Sequence, residues 1–531
     1  MIIILISIII RFPGVWLLPV DDEAMWVIAT AGYEPQFMLI PHPPVSIFIY
    51  SAFQFFFGHS YHIIRLTALM FGILTIVTTY YIAREMYGHK IAFLSVLILA
   101  ISFYSILGSI QIDIDGSILS FLLAITLYFY MVHIKNGRIS YLMLASILFG
   151  ISLLTKYVSI LIVPIMFAYL VTSKRAKLAS MLFFVIIGGF IVLMFPAVSY
   201  LTGNWDIFAN TLAWGQKNLA HNNLSYLLVS VISHLYRIVQ YATPLFLLFP
   251  LCAYFKKEKR EENLLYFWIV IVFLFYSFVV PGGNVSRYFM VIIPPLAILS
   301  ARAFYALFGD PRTNDLIRMA VLTLIMFLMI ALQNSFSATV EPFTLERGNF
   351  DILSKNPDIW YSSTSGPIFR VSAYSFIFVL IGSILLSVAY IFNKRHRRKI
   401  LMLFISLNLA FNFFLTEELL FHAYSPNYNV LMVDMVSYYK DNHLPEPLYS
   451  INEDFANLIT NGSYYDLEST AVRSTLGKEG GTAVIMNLPK TMSLTDDSYI
   501  SSYIIRTVDE KCVLLKIFYL GEYDAGYIYR C

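Results

Sequence analysis

Three adjacent carboxylates, Asp21, Asp22 and Glu23, stand directly after the first apolar segment of the chain. A carboxylate near a membrane costs free energy unless it is hydrated, paired or functional. Such a group could act as a general base that takes the proton from a hydroxyl nucleophile. The alternative is a solvated cap on the next helix, because acidic side chains favour helix N-termini.

A second acidic pair, Asp113 and Asp115, lies in a short loop between two apolar segments. In an extended loop, side chains two residues apart point the same way. The pair therefore suits either a divalent cation or two hydrogen bonds to a substrate. A capping turn before the next span is again the structural alternative.

Two isolated cations stand at comparable places in the sequence. Lys156 separates two apolar segments with almost no connection between them, and Arg287 follows Gly282-Gly283-Asn284. Snorkelling of both side chains to lipid headgroups would explain them without any function. Together with the carboxylates, however, they could neutralise a phosphate leaving group while a hydroxyl is deprotonated.

The composition indicates where these residues lie. Of the 531 residues, 58% are hydrophobic and only 13% are charged, and the mean hydropathy is +0.70. Such a chain is too apolar for a soluble globular protein, so we expect a polytopic α-helical membrane protein. The net charge of +3 is small and no basic segment is interleaved with aromatic residues, so we expect no nucleic-acid partner.

The aromatic run 47–57 determines the sidedness of everything after it, because it is either a short span or a helix in the membrane interface. If it lies on the surface, the basic loops share one side, which the positive-inside rule makes the cytoplasm. These loops contain Lys90, Lys135, Arg138, Lys174, Arg175, Lys177, 256–260, Arg312 and 394–399. We therefore predict about 13 spans, with the N-terminus inside and the C-terminus outside. The predicted spans are 1–18, 63–86, 91–109, 117–134, 140–154, 157–173, 178–201, 229–255, 264–281, 288–308, 315–333, 371–393 and 400–416.

The C-terminal region has a different character. From about Glu417, strand-like runs such as 482–487 and 513–519 alternate with a helical pattern at 428–441. This predicts a transmembrane catalytic domain over residues 1–418 and a small extracytoplasmic α/β domain over 419–531. Cys512 and Cys531 lie in the latter and could pair in an oxidising compartment.

Several short motifs occur in a fixed order along the chain. They are Asp22-Glu23-Ala24, His42-Pro43-Pro44, Arg65-Leu66, Asp115, Leu154-Thr155-Lys156, Arg287-Tyr288 and Pro294-Pro295. This ordered set resembles the GT-C glycosyltransferases that use polyprenyl-phosphate sugars, in the branch of the protein O-mannosyltransferases and the lipid A aminoarabinose transferase. The likeness covers about residues 10–300, and it implies a GT-C-like membrane fold.

The resemblance implies a role for each carboxylate. Asp22 matches the family's general base, with Glu23 as its neighbour. Asp115 matches the acid that orients the base or the acceptor, and Asp113 is its rival because the two stand only two positions apart.

The resemblance also implies a set of donor-binding residues. Lys156 and Arg287 would contact the lipid phosphate, Arg65 would assist them, and Tyr288 would contribute to the substrate site. His42 stands where the family more commonly has Lys, so phosphate binding there would depend on protonation of the imidazole.

The predicted reaction moves one sugar from a dolichyl or undecaprenyl phosphate to a hydroxyl of a protein, glycolipid or polysaccharide, with inversion, on the extracytoplasmic face of the cell membrane. The alternative is a secondary transporter or flippase of a glycolipid or small solute. Transporters hold their carboxylates near the bilayer midplane, whereas the predicted topology places these carboxylates at one surface. We expect no obligatory metal, although Asp113 and Asp115 could hold Mg²⁺ or Mn²⁺.

Overall fold

The structure is a computed structural model. It describes residues 2–19, 22–30, 42–172, 177–217, 224–254, 262–280, 286–337, 358–361, 369–421, 423, 428–451, 455–456, 459, 464–467, 469–478, 480–486, 497–520 and 523–531. Of the residues singled out in the sequence, Asp21, Lys174, Arg175, 256–260 and 282–284 lie outside the described residues.

The described chain is mostly helical. The helices are α1 (Ile2–Arg11), α2 (Asp22–Thr30), α3 (Pro44–Phe57), α4 (Tyr61–Tyr87), α5 (His89–Ile101), α6 (Phe103–Ile110), α7 (Ser120–Asn136), α8 (Ile139–Leu153), α9 (Ile162–Thr172), α10 (Leu178–Leu201), α11 (Trp205–Lys217), α12 (Leu224–Tyr254), α13 (Asn263–Phe278), α14 (Ile293–Phe308), α15 (Thr313–Ser337), α16 (Ala373–Phe392), α17 (Arg397–Leu420), α18 (Tyr428–Asp441), α19 (Thr470–Thr475) and α20 (Asp497–Lys511). A π-helical turn, Ile114–Leu119, precedes α7, and 3₁₀ turns cover Phe12–Trp16, Tyr157–Leu161, Ser286–Ile292 and Lys394–His396.

The described residues of each predicted span are mainly helical. By length and composition, 7 of the described helices can cross a membrane, or up to 8 if the bent pair α5 and α6 forms one span. The predicted class, a polytopic α-helical protein with a small C-terminal domain, is thereby confirmed. The count of about 13 spans stays a prediction.

The aromatic helix α3 is too short to cross a bilayer. Its 14 residues span about 21 Å, whereas the hydrocarbon core is about 30 Å thick. Ile47 and Tyr50 are buried, while Phe48, Phe55 and Phe56 are exposed. This one-sided exposure agrees with the predicted interfacial helix.

The chain divides into two compact units. The first contains Met1–Val15, Ala29–Phe327 and Leu380–Thr416, and the second contains Trp16–Ile28, Leu328–Val379 and Glu417–Cys531. The second unit thus includes segments that precede the predicted 419–531 domain. The predicted division at residues 418 and 419 itself stays a prediction.

Two helices of the first unit are broken, and α17 supplies polar side chains at both breaks. The axis bends by 64° between α5 and α6, and Thr243 inside α12 has φ 62° and ψ 157°. Asn412 contacts the backbone at the first break, and Asn408 Oδ1 accepts from the Leu245 amide at the second, at 3.0 Å. Broken helices inside a membrane need such partners, because lipid offers none.

Basic loops meet at one end of the first unit. Lys90 Nζ lies 3.3 Å from Asp310 Oδ1, and Arg398 Nη2 donates to the Asp310 carbonyl at 3.5 Å. Lys135 Nζ lies 2.7 Å from Glu85 Oε2 near the end of α4. Three of the loops that the sequence places on one side, those of Lys90, Lys135 and Arg398, therefore lie at one end of the helical unit.

A five-stranded sheet forms the centre of the C-terminal region. Two further strands, β1 (Asp358–Tyr361) and β2 (Phe369–Ser372), form an antiparallel pair outside it. The strands of the sheet are β3 (Leu448–Ser450), β4 (Tyr465–Asp466), β5 (Thr482–Met486), β6 (Val513–Leu520) and β7 (Tyr523–Arg530), in the order β4-β3-β5-β7-β6. The pairs β3–β4 and β3–β5 are parallel, and β7 is antiparallel to β5 and β6.

Both faces of this sheet are covered. Along β5, Val484 joins a buried cluster with Met435 of α18, while Ile485 joins a second cluster with Val508 of α20. The alternation follows from the two-residue period of a strand. A disulfide joins Cys512, just before β6, to Cys531, just after β7.

Candidate active site

The acidic loop follows the short helix α6. Asp113 has extended backbone angles, and its Oδ1 accepts from the Ile114 amide at 2.6 Å, which starts the π-helical turn. Tyr50 of α3 donates to the Asp113 carbonyl at 2.8 Å, and so does Ser117. We call residues 111–119 the acidic turn. It is held from both sides by hydrogen bonds, which fixes the direction of its carboxylates.

Two glycines allow the acidic turn to pack directly against α6. A Cβ at Gly116 would lie 2.3 Å from the Gly108 Cα and 2.6 Å from Met290 Sδ, and one at Gly108 would lie 2.9 Å from the Gly116 Cα. No real side chain fits at such distances. The two backbones are therefore in contact, and the position of α6 sets the position of Asp115.

Both predicted cations reach the acidic pair. Lys156 Nζ lies 2.7 Å from each carboxylate oxygen of Asp115. Arg287 Nε lies 3.0 Å from Asp113 Oδ2 and 3.9 Å from Asp115 Oδ2. The side-chain exposures are 14% for Lys156, 11% for Arg287, 4% for Asp113 and 1% for Asp115. The structure thus brings together four residues that the sequence proposed separately, and we call them the charge cluster.

The charge cluster carries no net formal charge, since two carboxylates balance two cations. Its members are largely shielded from solvent and lie close together, so water and salt screen the interactions between their charges only weakly. An anion that enters would have to share the donors of Lys156 and Arg287 with the two carboxylates. The affinity for that anion therefore depends on how strongly the two cations attract it and how strongly the two carboxylates repel it.

Tyr288 lies beside both cations. Lys156 Nζ is 4.5 Å from the centre of its ring, and the Arg287 guanidinium carbon is 5.9 Å from it. Tyr276 stacks on the same ring at 4.8 Å between centroids. The aromatic faces orient the cations by attraction of positive charge to the ring.

A small apolar cleft, with room for about one water molecule, lies beside Tyr276. Its walls come from α7, α9, α13 and the turn before α14, and include Leu123, Leu127, Ile165, Val272 and Val291. Since Tyr276 lines this cleft and also stacks on Tyr288, the cleft lies next to the charge cluster.

His42 belongs to the same region. The amide of Val45, at the start of α3, donates to the Leu154 carbonyl at 3.0 Å, which ties the histidine segment to the turn that carries Lys156. Burial and the nearby positive charges of Lys156 and Arg287 lower the pKa of His42 from 6.5 to about 3, although Asp113 opposes them. The imidazole is therefore neutral near pH 7, and its role in phosphate binding stays a prediction.

Arg65 is completely buried on α4, and its Nη1 donates to the Ile110 carbonyl at 2.8 Å. It therefore supports the C-terminal end of α6, just before the acidic turn. Its predicted assistance in phosphate binding is not tested by this contact.

The predicted base lies in the other compact unit. Asp22 begins α2 and is partly exposed, and Glu23 beside it is fully buried. Their place at the helix N-terminus is the one that acidic residues prefer. The catalytic roles of Asp22 and Glu23 stay predictions.

Sequence reasoning overlooked Arg11, Tyr50 and Asn412. Arg11 is the one cation of an otherwise apolar helix and is completely buried. Its isolation in a span was a usable signal, because ionisable residues in membrane segments are rare without a purpose. Tyr50 and Asn412 gave no such signal, since their importance depends on partners far away in the sequence.

The arrangement can be compared with known proteins. Residues 41–200 match the family described as dolichyl-phosphate-mannose-protein mannosyltransferase. The crystal structure of ArnT from Cupriavidus metallidurans bound to undecaprenyl phosphate is similar, with a TM-score of 0.61 and 14% identity, over 100% of this chain and 97% of that chain. Its apo state gives a TM-score of 0.58 at the same identity and coverage.

The archaeal oligosaccharyltransferase AglB from Archaeoglobus fulgidus, in complex with an inhibitory peptide and a dolichol-phosphate, has a TM-score of 0.46 and 14% identity, over 91% of this chain and 68% of that chain. No curated protein matches the chain in sequence. The chain has the GT-C glycosyltransferase fold, and the resemblance that its ordered motifs predict is confirmed.

Proposed function

We propose that this chain is an integral-membrane glycosyltransferase that moves one sugar from a polyprenyl phosphate to an acceptor hydroxyl. The charge cluster is the observation that carries the proposal. It places two cations in a site that is largely shielded from solvent, which suits a ligand with a phosphate group. The similar ArnT structure holds undecaprenyl phosphate, which supports the same class of donor here.

The chemistry follows from the charge on the phosphate. The acceptor oxygen attacks the anomeric carbon, its proton passes to Asp22, and the bond from that carbon to the phosphate oxygen breaks with its electron pair on oxygen. The donor is a phosphodiester with one negative charge, and the product monoester carries about −1.5 to −2 near pH 7. Lys156 and Arg287 stabilise the charge that develops on this leaving group, so no general acid is needed.

Asp115 and Asp113 have a second task in this mechanism. They hold the two cations in place before the donor arrives, and a carboxylate oxygen can also accept a hydrogen bond from the acceptor sugar or hydroxyl. Preorganised charges of this kind accelerate a reaction because they do not have to move as the transition state forms.

The active site faces the extracytoplasmic side in this proposal. The basic loops around Lys90, Lys135 and Arg398 meet at one end of the first unit. Loops rich in Lys and Arg tend to lie on the cytoplasmic side of the membrane, which supports placing the charge cluster on the opposite side. The Cys512–Cys531 disulfide supports an oxidising compartment for the C-terminal domain.

We propose that the reaction needs no divalent metal. Lys156 contacts both carboxylate oxygens of Asp115, and Arg287 contacts one oxygen of each carboxylate, so the acidic pair already has counter-ions. Among the described residues, no group of three or more His, Cys, Asp or Glu side chains is arranged to hold a metal. Retention of activity in EDTA would agree with this; loss in EDTA that one divalent ion restores would contradict it.

The experiment is sugar transfer by the purified protein in proteoliposomes, supplied with a panel of polyprenyl-phosphate sugars and membrane glycans. Release of polyprenyl phosphate that depends on an acceptor is the expected result. Lys156→Ala and Arg287→Ala should raise the donor concentration needed, whereas Lys90→Ala, in an exposed ion pair at the other end, should not. Solute flux without any transfer would favour the transporter instead.

A further inference from the structure

Arg11, at the end of α1, is 0% exposed. Its Nη1 donates to the Ala100 carbonyl at 2.7 Å and its Nη2 to the Leu99 carbonyl at 3.3 Å. Its Nε donates to Ser109 Oγ at 3.0 Å and its Nη2 also to Ser105 Oγ at 3.1 Å. One guanidinium therefore joins the last turn of α5 to the body of α6, across the 64° bend.

This charge is held by dipoles. Among the described residues, the partners of Arg11 are carbonyl and hydroxyl oxygens and include no carboxylate. The carbonyls at a helix C-terminus carry partial negative charge, which suits a cation. Burying a guanidinium without a counter-ion remains costly, and such residues in membrane segments usually serve function.

Asn412 of α17 closes the same bend from another side. Its Oδ1 accepts from the Phe103 amide at 2.8 Å and its Nδ2 donates to the Ile101 carbonyl at 2.5 Å. These are the backbone groups on either side of Ser102, where the helical hydrogen bonds stop. Arg11 and Asn412 together satisfy the backbone that the bend exposes.

The bend determines where the acidic turn lies. Helix α6 is only 8 residues long, and Gly108 touches Gly116 of the turn, so a rotation of α6 moves Asp115 with it. Tyr104 of α6 also donates to the Ser286 carbonyl, next to Arg287. Helix α6 thus contacts the segments that supply both signs of the charge cluster.

We propose that Arg11 and Asn412 are positioning residues, which clamp the bend between α5 and α6 and so hold Asp113 and Asp115 in register with Lys156 and Arg287. Neither residue touches the substrate in this proposal. Its structural part stands alone, while its kinetic consequence rests on the proposed glycosyl transfer.

The structural part is tested by hydrogen–deuterium exchange of the full-length protein in lipid nanodiscs. Arg11→Lys and Asn412→Ala should speed exchange across 103–117 while the thermal unfolding midpoint changes little. Two matched controls should leave exchange across 103–117 unchanged. Arg302→Lys alters a buried arginine of α14 that pairs with Glu262. Asn408→Ala should speed exchange near Leu245 instead.

The kinetic part is tested by turnover of the polyprenyl-phosphate sugar that the wild type uses. Arg11→Lys should lower kcat by about tenfold to hundredfold, with a smaller change in KM for the donor, because small displacements of catalytic groups have effects of this size. In an Asp115→Asn background the same substitution should cost much less, since residues acting through one group are not additive.

Three results would overturn the clamp. The first is fast exchange of the Phe103 and 111–117 amides in the wild type, and the second is unchanged exchange there in both variants. The third is full additivity of Arg11→Lys with Asp115→Asn. If the wild type transfers no sugar, the proposed function fails, yet the exchange experiment still decides the clamp.

Discussion

Replacing Asp115 by Asn tests whether the charge cluster is balanced. The amide keeps the shape of the carboxylate but removes its charge, so the cluster changes from neutral to a net charge of +1. We therefore expect a variant that binds polyprenyl phosphate more tightly and yet turns over more slowly. A residue that simply bound the donor would lose affinity instead.

The size of the effect follows from the geometry. Lys156 Nζ lies 2.7 Å from both Asp115 oxygens, so a phosphate that reaches this ammonium comes within about 4 Å of the carboxylate. A unit charge at 4 Å is worth about 4 kcal/mol at an effective dielectric constant of 20. Even a quarter to a half of this energy, about 1–2 kcal/mol, corresponds to about fivefold to thirtyfold in Kd.

The assay is direct binding of polyprenyl phosphate to protein in nanodiscs, together with steady-state transfer. Because losing one partner of a buried pair is destabilising, the unfolding midpoint of the variant should be measured alongside. Asp315→Asn is the matched control, since Asp315 Oδ2 pairs with Arg398 Nη2 at 2.6 Å at the other end of the unit. Weaker donor binding by a folded Asp115→Asn protein would refute the reasoning.

Three further predictions concern other residues. Asp22→Asn should nearly abolish transfer and leave donor binding intact, because the amide cannot take the acceptor's proton; near-normal turnover would remove Asp22 as the base. The pKa of His42 is about 3 in the folded protein, below its ordinary 6.5, so the stability of the fold should decrease as pH drops from about 6.5 towards 3. The unfolding midpoint of His42→Gln should therefore fall less between pH 7.5 and pH 5 than that of the wild type. An equal fall in both proteins would contradict this. Replacing Cys512 and Cys531 by Ser removes a disulfide that joins residues 19 positions apart. This should lower the free energy of unfolding of the C-terminal domain by about 3 kcal/mol. Limited proteolysis of the full-length protein should then cleave that domain faster, and an unchanged cleavage rate would contradict the prediction.

The helical architecture could be predicted because hydropathy acts locally. The described residues of each predicted span are mainly helical, and the positive-inside pattern correctly groups loops such as those of Lys90 and Arg398. Pro244 marks the break at Thr243 in the sequence, because a proline disfavours helical backbone at the residue before it. The break at Ser102 could not be foreseen, because its backbone groups are satisfied by Asn412, which is distant in the sequence. A span with one asparagine looks the same whether or not that side chain closes a break.

The site was predictable as a set of residues and less so as a set of contacts. Asp115, Lys156 and Arg287 were each selected for chemistry, and the structure places them together. The resemblance gives Lys156 to the phosphate and Asp115 to the base or the acceptor, and it does not foresee the ion pair between them. Pairing over a separation of 41 residues depends on how α7 and α8 pack, which residue spacing does not reveal.

The balance of the charge cluster also bears on how the reaction ends. In the proposed mechanism, Lys156 and Arg287 hold the product more strongly than the donor, because the monoester is the more negative of the two. The same ion pairs then limit this retention, since Asp113 and Asp115 compete with the product for Lys156 and Arg287. We therefore expect these two carboxylates to govern the departure of the spent lipid carrier as well as bond breaking, and inhibition by free polyprenyl phosphate would be the sign of slow departure.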